Sequence, residues 1–245
     1  VEVDRIDHLL VFPRTGRLTD RWMSLERNGD TARRAQFQKQ QPLEGDFHSL
    51  RDWRAGDARR TIHWRTSARR AQLMVRQFEQ QRRHDLVLML DLWQSESPTP
   101  EQQEATELAV SFAATVIAEA CRHGSGTLTA GVGGREPVWR RGHTSPRLLG
   151  DLLEQLAIAE ASPAQRLPDL LAVAAEEISH RDHVVLISTH DVNVSEAART
   201  AGLVDDGRRS AWLGRMLLVN AASDQLFDYF RPDEVAGAAA GLNPR

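Results

Sequence analysis

Residues 85–93 read DLVLMLDLW, in which five consecutive apolar residues are followed by Asp91. A continuous apolar run of this length is typical of a strand that is buried on both faces of a parallel sheet. The stretch HVVLIST (183–189) has the same character, and GTLTAGVGG (126–134) and GRMLLVN (214–220) predict two further strands. Together the four segments predict the core of an α/β domain.

The segments around these strands have the apolar spacing of helices, over residues 100–124, 145–161, 167–180 and 194–202. The first carries acidic residues in its early turns and ends at Gly124, and the second opens with Ser145 and Pro146, a favourable N-cap and first helical residue. The order β-α-β-α-α-β-α-β predicts an open, mostly parallel sheet with helices on both faces.

The residues before Asp85 have a different composition and hydrophobic pattern. DHLLVFPRTGRL (7–18) alternates and then stops at Pro13 and Gly16, as expected of a strand that enters a turn. Residues 26–44 are polar and predict a loop or linker. We therefore expect a small β-rich or irregular N-terminal segment over residues 1–84, followed by the α/β domain over residues 85–245.

Charge is divided unequally between these two parts. The 245 residues have a net charge of −3, but residues 1–84 hold 18 basic and 11 acidic side chains, and residues 85–245 hold 13 and 23. This asymmetry predicts two units whose fields attract each other, or two faces for different partners. The single cysteine, Cys121, excludes a disulfide framework and favours a reducing compartment, so we expect a cytoplasmic location.

The run RDWRAGDARRTIHWRTSARR (51–70) contains seven arginines and two tryptophans. It allows three interpretations. Arginines and tryptophans contact phosphates and bases in a nucleic-acid-binding module. In a structural segment, the guanidinium groups pair with nearby aspartates and stack on the indoles. In a hydrolase, His48 or His63 acts as a general base beside Asp52 or Asp57. The acidic residues between the arginines, and the apolar residues spread through the run, favour a segment packed into a domain.

The longer stretch GDFHSLRDWRAGDARRTIHWRTSARRAQLMVRQFE (45–79) resembles the signature of domain-of-unknown-function family 58. We call it the signature segment. Matching positions include Gly45, Leu50, Gly56, Ile62, Ser67, Leu73, Val75 and Phe78, together with the polar and aromatic set Asp46, Arg51, Trp53, Asp57, Arg60, Trp64, Arg69 and Arg76. The resemblance implies a bacterial protein with a von Willebrand factor A-like domain after the signature, often encoded beside a MoxR-type AAA+ ATPase. It also implies, for many members, membrane helices upstream, which would tether the chain to the cytoplasmic side of a membrane.

Ligands of open α/β sheets bind at the carboxyl ends of the strands. There, the oxygen-bearing residues Asp91, Ser95, Ser97 and Asp191 are candidates for Mg²⁺ ligands, or simply caps of turns. The resemblance implies a Mg²⁺ site built from a D-x-S-x-S loop, a threonine and a later aspartate.

This sequence departs from that pattern at several positions. Trp93 stands at the first serine, Thr189 at the later aspartate, and RLPDL (166–170) lacks the threonine. We expect a degenerate metal-site loop of Asp91, Trp93, Ser95, Thr189 and Asp191 with no resident cofactor, because the loss of that many oxygen ligands should abolish tight Mg²⁺ binding.

Together these features predict a non-enzymatic protein-interaction module, the partner or adaptor of a MoxR-type AAA+ ATPase in assembly or chaperone-like tasks. The signature residues would brace the fold or face the partner. The alternative is a nucleic-acid-binding module that uses residues 51–70.

Overall fold

The computed structural model describes residues 9–25, 46–54, 57, 59–79, 85–123, 126–178, 182–203 and 210–233, with the side chains of residues 46–48 and 77–79 left out. The predicted linker over residues 26–44 lies outside the described residues. The chain divides into a small unit, Glu26–Arg83, and a large unit, Val1–Leu25 with His84–Arg245.

The described strands are β1 (Gly16–Leu18), β2 (Asp46–Asp52), β3 (Met74–Glu79), β4 (Leu86–Asp91), β5 (Thr127–Gly133), β6 (Val138–His143), β7 (His183–Ser188), β8 (Leu217–Asn220) and β9 (Phe230–Pro232). The described helices are α1 (residues 20–25), α2 (Trp64–Arg70), α3 (Pro100–His123), α4 (Pro146–Ala157), α5 (Leu167–Glu177) and α6 (Val194–Thr200). None of the described helices is long and apolar enough to cross a membrane.

The large unit is built on a five-stranded sheet in the order β6-β5-β4-β7-β8. Strand β4 pairs in parallel with β5 and β7, and β7 pairs in parallel with β8. Only β6 is antiparallel to its neighbour, β5. The predicted open, mostly parallel α/β sheet is therefore confirmed.

Alternation along β4 explains why helices cover both faces of this sheet. Leu88 and Leu90 point to one side, where they share a core with residues of α3 and α4. Val87 and Met89 point to the other, where they share a core with residues of α5 and α6. Because successive side chains of a strand alternate between faces, a run with no polar position is what a doubly covered strand requires.

Strand β6 was not predicted from the sequence. Its segment, VWRRGH, contains no apolar run, and Arg140 and Arg141 are exposed. An edge strand has a partner on one side only, and charged side chains are compatible with that position. The four predicted core strands and four predicted helices are present, with ends that differ by a few residues.

The predicted strand over residues 7–18 is wrong in its placement. Residues 9–15 form no strand, and β1 begins at Gly16, where a turn was expected. Strand β1 pairs with β9, and a Cβ at position 16 would lie 2.3 Å from the Arg231 carbonyl oxygen, so glycine permits the pairing. The Gly16 amide also donates to Thr115 Oγ1 of α3 at 2.8 Å.

These contacts assign the residues before position 26 to the large unit, whereas the sequence grouped residues 1–84 together. Trp22 of α1 is fully buried and meets Phe112 edge to face, with ring centroids 5.4 Å apart. The indole is thus part of the large unit's core.

The small unit is a β2–β3 antiparallel hairpin that carries a helix. A 3₁₀ turn (Arg59–Thr61) and an isolated bridge between Ile62 and Val75 lead into α2. Ile62, Met74 and Val75 are buried, and Ser67 is the buried residue of α2.

Candidate functional site

The sheet has a topological switch point between β4 and β7. From β4 the chain continues through β5 and β6 on one side, and β7 and β8 lie on the other side. In open α/β sheets, ligands bind beside the carboxyl ends of strands at such a point. Here those ends are Asp91 and Ser188, which are paired in register.

Asp91 is a buried carboxyl, with 1% of its surface exposed. Ser188 Oγ donates to Asp91 Oδ2 at 3.1 Å. Burial raises the pKa of Asp91 to about 6, although the Ser188 hydrogen bond opposes that rise. At pH 7 the carboxyl is therefore largely ionised, in surroundings that disfavour its charge.

His190 completes a small polar cluster with Asp91 and Ser188. Its Nδ1 lies 3.2 Å from Ser188 Oγ and 3.7 Å from Asp91 Oδ2. Burial lowers the pKa of His190, with Asp191 opposing that shift, so the ring is neutral at pH 7. The approach to Asp91 is then not a charge pair. Since the Ser188 proton is directed to Asp91, the Nδ1–H tautomer of His190 would donate to Ser188 Oγ.

Trp93 lies against this cluster. Its ring centroid is 4.9 Å from that of His190, with the planes tilted by 38°. The indole Nε1 donates to the Pro163 carbonyl at 3.1 Å, and Thr189 Oγ1 donates to the Trp93 carbonyl at 2.5 Å. The Trp93 backbone forms a parallel bridge with Ser162. These contacts fix the indole beside the ends of β4 and β7.

The predicted metal-site loop is brought together only in part. Asp91, Trp93 and Thr189 meet at the switch point. Ser95 Oγ instead donates to Gln102 Oε1 of α3 at 2.7 Å. Asp191 Oδ1 accepts from Asn220 Nδ2 at 2.6 Å.

These residues do not fit a Mg²⁺ site. Mg²⁺ needs several oxygen ligands in near-octahedral geometry. Asp91 is bonded to Ser188, and the hydroxyl groups of Ser95 and Thr189 are directed at other atoms of the chain. Within the described ranges, no three His, Cys, Asp or Glu residues are grouped as metal ligands would be.

Sequence reasoning missed the roles of Ser188, His190 and Ser162 at this edge. The hydroxyl of Ser162 is buried and has no hydrogen-bond partner among the described residues. Two of them, Ser188 and His190, could have been found from the strand end HVVLISTH (183–190), because the last residues of β7 must lie beside Asp91. Ser162 had no such signal, since it reaches the edge by a loop.

In the small unit, the signature residue Asp57 organises a turn. Arg51 binds it through two hydrogen bonds, from Nη1 to Oδ2 at 2.6 Å and from Nη2 to Oδ1 at 2.8 Å. The Arg54 amide also donates to Asp57 Oδ2, and Trp53 Nε1 donates to the Asp57 carbonyl. The Arg51 and Arg54 hydrogen bonds hold the pKa of Asp57 at about 2. This fork-to-fork pairing is the arrangement that the structural interpretation expected.

The other signature residues are placed differently. Asp46 begins β2. Arg60, Arg69 and Arg76 are exposed and, in the part of the chain that the structure describes, pair with no carboxylate. Trp64 is 64% exposed at the start of α2. Pairing with a carboxylate thus accounts for Arg51, whereas several other signature arginines and the indole of Trp64 are exposed.

The histidines of the hydrolase interpretation also have defined places. His63 is the N-cap of α2, where its side chain accepts from the Thr66 amide. His48 lies in β2. Asp57, one of the two proposed partners of a histidine base, is bonded to Arg51 instead.

Comparison with known proteins identifies what the chain resembles. The model of a family described as protein of unknown function DUF58 matches residues 49–201. A curated relative, the uncharacterized protein YeaD of Bacillus subtilis (strain 168), is 31% identical over 121 residues, which cover 47% of this chain and 27% of YeaD. The chain thus spans about a quarter of that relative's length.

One solved structure with partial likeness is an aerotolerance-related membrane protein from Bacteroides fragilis NCTC 9343 that carries multiple mutations to serine. It is 11% identical, with a TM-score of 0.30, and the match covers 55% of this chain and 65% of that one. The fold assignment rests on the strand order and not on this likeness.

Proposed function

The chain belongs to the DUF58 family of proteins of unknown function, and we propose that it is a non-enzymatic protein-interaction module. In this proposal it acts as partner or adaptor of a MoxR-type AAA+ ATPase in assembly or chaperone-like tasks. The interaction takes place on the cytoplasmic side of the membrane, where ATP is available to such an enzyme.

The proposal is supported by the side chains at the switch point between β4 and β7. An α/β enzyme or a metal-dependent binder would use this edge of the sheet. Here the buried carboxyl of Asp91 is bonded to Ser188, and the Trp93 ring lies against that of His190. Tryptophan is favoured as an anchor of protein interfaces, so an edge built in this way suits contact with a protein better than turnover of a small substrate.

The proposal is tested by affinity capture. The tagged chain would be used as bait in cells that also encode a MoxR-type ATPase, with the tag alone as the control. Recovery of the ATPase by the chain and not by the tag is expected. Absence of the ATPase from the captured material would count against the partnership.

A separate measurement tests whether the interaction needs a divalent metal ion. Because the residues at the switch point do not fit Mg²⁺, capture in nucleotide-free buffer should be the same with and without EDTA. A loss of capture on chelation would show that a divalent ion supports the contact.

A nucleic-acid-binding module is the second candidate, because Trp64 and several signature arginines are exposed. Such binding would weaken steeply with rising salt. A labelled oligonucleotide that fails to bind at low salt would remove this candidate.

A further inference from the structure

We propose that the outward surface of α2 and of the turn before it is a docking surface for an acidic protein segment. We call this surface the α2 face, and it consists of Arg59, Arg60, Trp64, Arg65, Arg69 and Arg70. The inference rests on the proposed function, because it assigns the partner's contact to the small unit and states the chemistry of the partner.

The geometry of the helix separates a structural side from a free side. Ser67 is buried on the hairpin side of α2. On a helix of 3.6 residues per turn, Arg65 and Arg69 each lie about 160° from Ser67. Trp64 and Arg70 lie at the two borders between these sides, each about 60° from Ser67 and about 100° from the nearer arginine of that pair, and all four side chains are exposed.

The structural side anchors the helix firmly. Ser67 Oγ accepts from the Met74 amide at 2.8 Å and donates to the His63 carbonyl at 3.1 Å. His63 caps the first turn, and Ile62 is buried against β3 through its bridge with Val75. A helix this short has little stability of its own, so the surrounding contacts hold its charged residues in place.

The charge pattern of α2 opposes its own stability. Arg65 and Arg69 stand at i and i+4, where like charges destabilise a helix. The helix has no acidic residue in its first turn, where one would interact favourably with the helix dipole. In the residues that the structure describes, no carboxylate pairs with any of the five arginines of the α2 face. Local conflict of this kind is expected at functional sites, and an anionic partner would relieve the repulsion among these arginines.

The same features favour protein over nucleic acid as the partner. The helix has seven residues and is about 10 Å long, which is short for a groove that tracks the backbone of a strand. Trp64 is the most exposed indole described and offers apolar area next to the cations. Tryptophan and arginine are among the residues most enriched in the energetic centres of protein interfaces. The partner chemistry is therefore a segment with glutamate or aspartate around an apolar side chain.

The first test measures binding of the full chain to three fluorescein-labelled probes. These are a short glutamate-rich peptide with single leucines, an oligothymidylate of similar length, and phosphatidylcholine vesicles containing phosphatidylglycerol. We expect the peptide to bind most tightly at physiological salt. Arg65→Glu with Arg69→Glu should weaken peptide binding about tenfold or more, and Trp64→Ala about tenfold.

The control reverses charge elsewhere, with Arg147→Glu and Arg199→Glu. Both arginines are exposed in the large unit and have no carboxylate partner among the described residues. This variant has the same net charge as the double variant on α2, and its peptide binding should stay within about twofold of wild type. Equal losses in both double variants would overturn the proposal, since net charge alone would then explain binding. Tighter binding of the oligonucleotide or the vesicles than of the peptide would also overturn it.

The second test repeats the capture of the MoxR-type ATPase with the same variants. Loss of capture in the Arg65→Glu, Arg69→Glu variant and not in the control supports the α2 face. Equal capture by both variants would leave the protein partnership standing and remove the α2 face. If the peptide binds through α2 but wild type captures no ATPase, the α2 face stands and the partnership with the ATPase is removed.

Discussion

At the scale of single residues, Asp91 is the least expected feature of the large unit. A carboxyl that is 1% exposed and ionised at pH 7 lowers the stability of the folded state unless a cation balances its charge. The neutral ring of His190 does not supply that charge, and the Ser188 hydroxyl compensates only in part. The site therefore retains a charge that stability alone does not explain.

We predict that Asp91→Asn stabilises the protein in a pH-dependent way. The folded pKa of about 6 lies above the ordinary 3.8, so the folded state binds the proton more tightly than the unfolded state. This contribution to stability is fully present below pH 3.8 and is lost as pH rises through 6. The gain on substitution should be about 1–3 kcal/mol at pH 8 and smaller at pH 5.

Urea unfolding at the two pH values measures this gain. Asp151→Asn, an exposed aspartate of α4, is the matched control and should change the free energy of unfolding by less than about 0.5 kcal/mol at both. A loss of stability in Asp91→Asn at pH 8 would mean that the negative charge is balanced in the folded protein.

The residues of this site could be predicted from the sequence only where strand ends fixed them. Asp91 and Thr189 follow apolar runs, so their proximity followed from parallel pairing. The directions of the side chains could not be predicted in this way. Asp191 accepts a hydrogen bond from β8, and Ser95 donates one to α3, and no local pattern reveals either contact. The sequence predicted that arginines pair with nearby aspartates, as Arg51 does with Asp57. It did not predict that Arg60 and Arg69 are exposed.

At the scale of elements, the turn from α2 into β3 contains a conformational conflict. Ala71 ends the helix with φ of 51° and ψ of 25°, the left-handed region that favours glycine. An L-residue there costs about 1 kcal/mol. Its amide donates to the Ser67 carbonyl, and the Gln72 amide reaches the same acceptor at 3.3 Å. The hydrogen bonds of the turn hold a residue that its own backbone preference disfavours.

Ala71→Gly is therefore expected to stabilise the small unit by about 0.5–1 kcal/mol. Ala68→Gly, the same substitution at an exposed position inside α2, should destabilise it by about 1 kcal/mol. Hydrogen exchange of peptides that cover residues 64–75 reports on this unit directly. Faster exchange in both variants would contradict the left-handed assignment of Ala71.

Elements were predictable in proportion to their apolar content. Strands β4 and β7 are buried along nearly their whole length and stood out in the sequence. Strand β6 did not, because its exposed arginines break the apolar pattern. Strand β1 has three residues, and its position depends on pairing with residues 230–232, which no local pattern reveals.

At the scale of the whole molecule, the large unit is assembled from two separate stretches of the chain. Residues 16–25 join it through the β1–β9 pairing and through the core tryptophan of α1. Trp22, Phe112 and Phe230 form a continuous aromatic group, with successive ring centroids 5.4 Å apart. The sequence of the small unit is inserted between these stretches.

Replacing Trp22 with alanine should lower the free energy of unfolding by about 3–5 kcal/mol, because the indole is fully buried. Trp64→Ala, the same substitution at an exposed indole, should change it by less than about 0.5 kcal/mol. Urea denaturation of both variants measures the difference. Similar small losses would show that residues 16–25 do not stabilise the large unit.

The pairing of β1 with β9 also affects the order in which the parts of the chain can fold during translation. Thr19 Oγ1 donates to the Asp228 carbonyl across a separation of 209 residues. On the ribosome, β1 emerges early but has no partner until β9 has been translated, whereas the partners of the β2–β3 hairpin emerge close together. Domains generally fold as units during translation, and long-range pairing is slow to form. The hairpin with its arginine-rich helix can therefore form before β9 has been translated and has paired with β1.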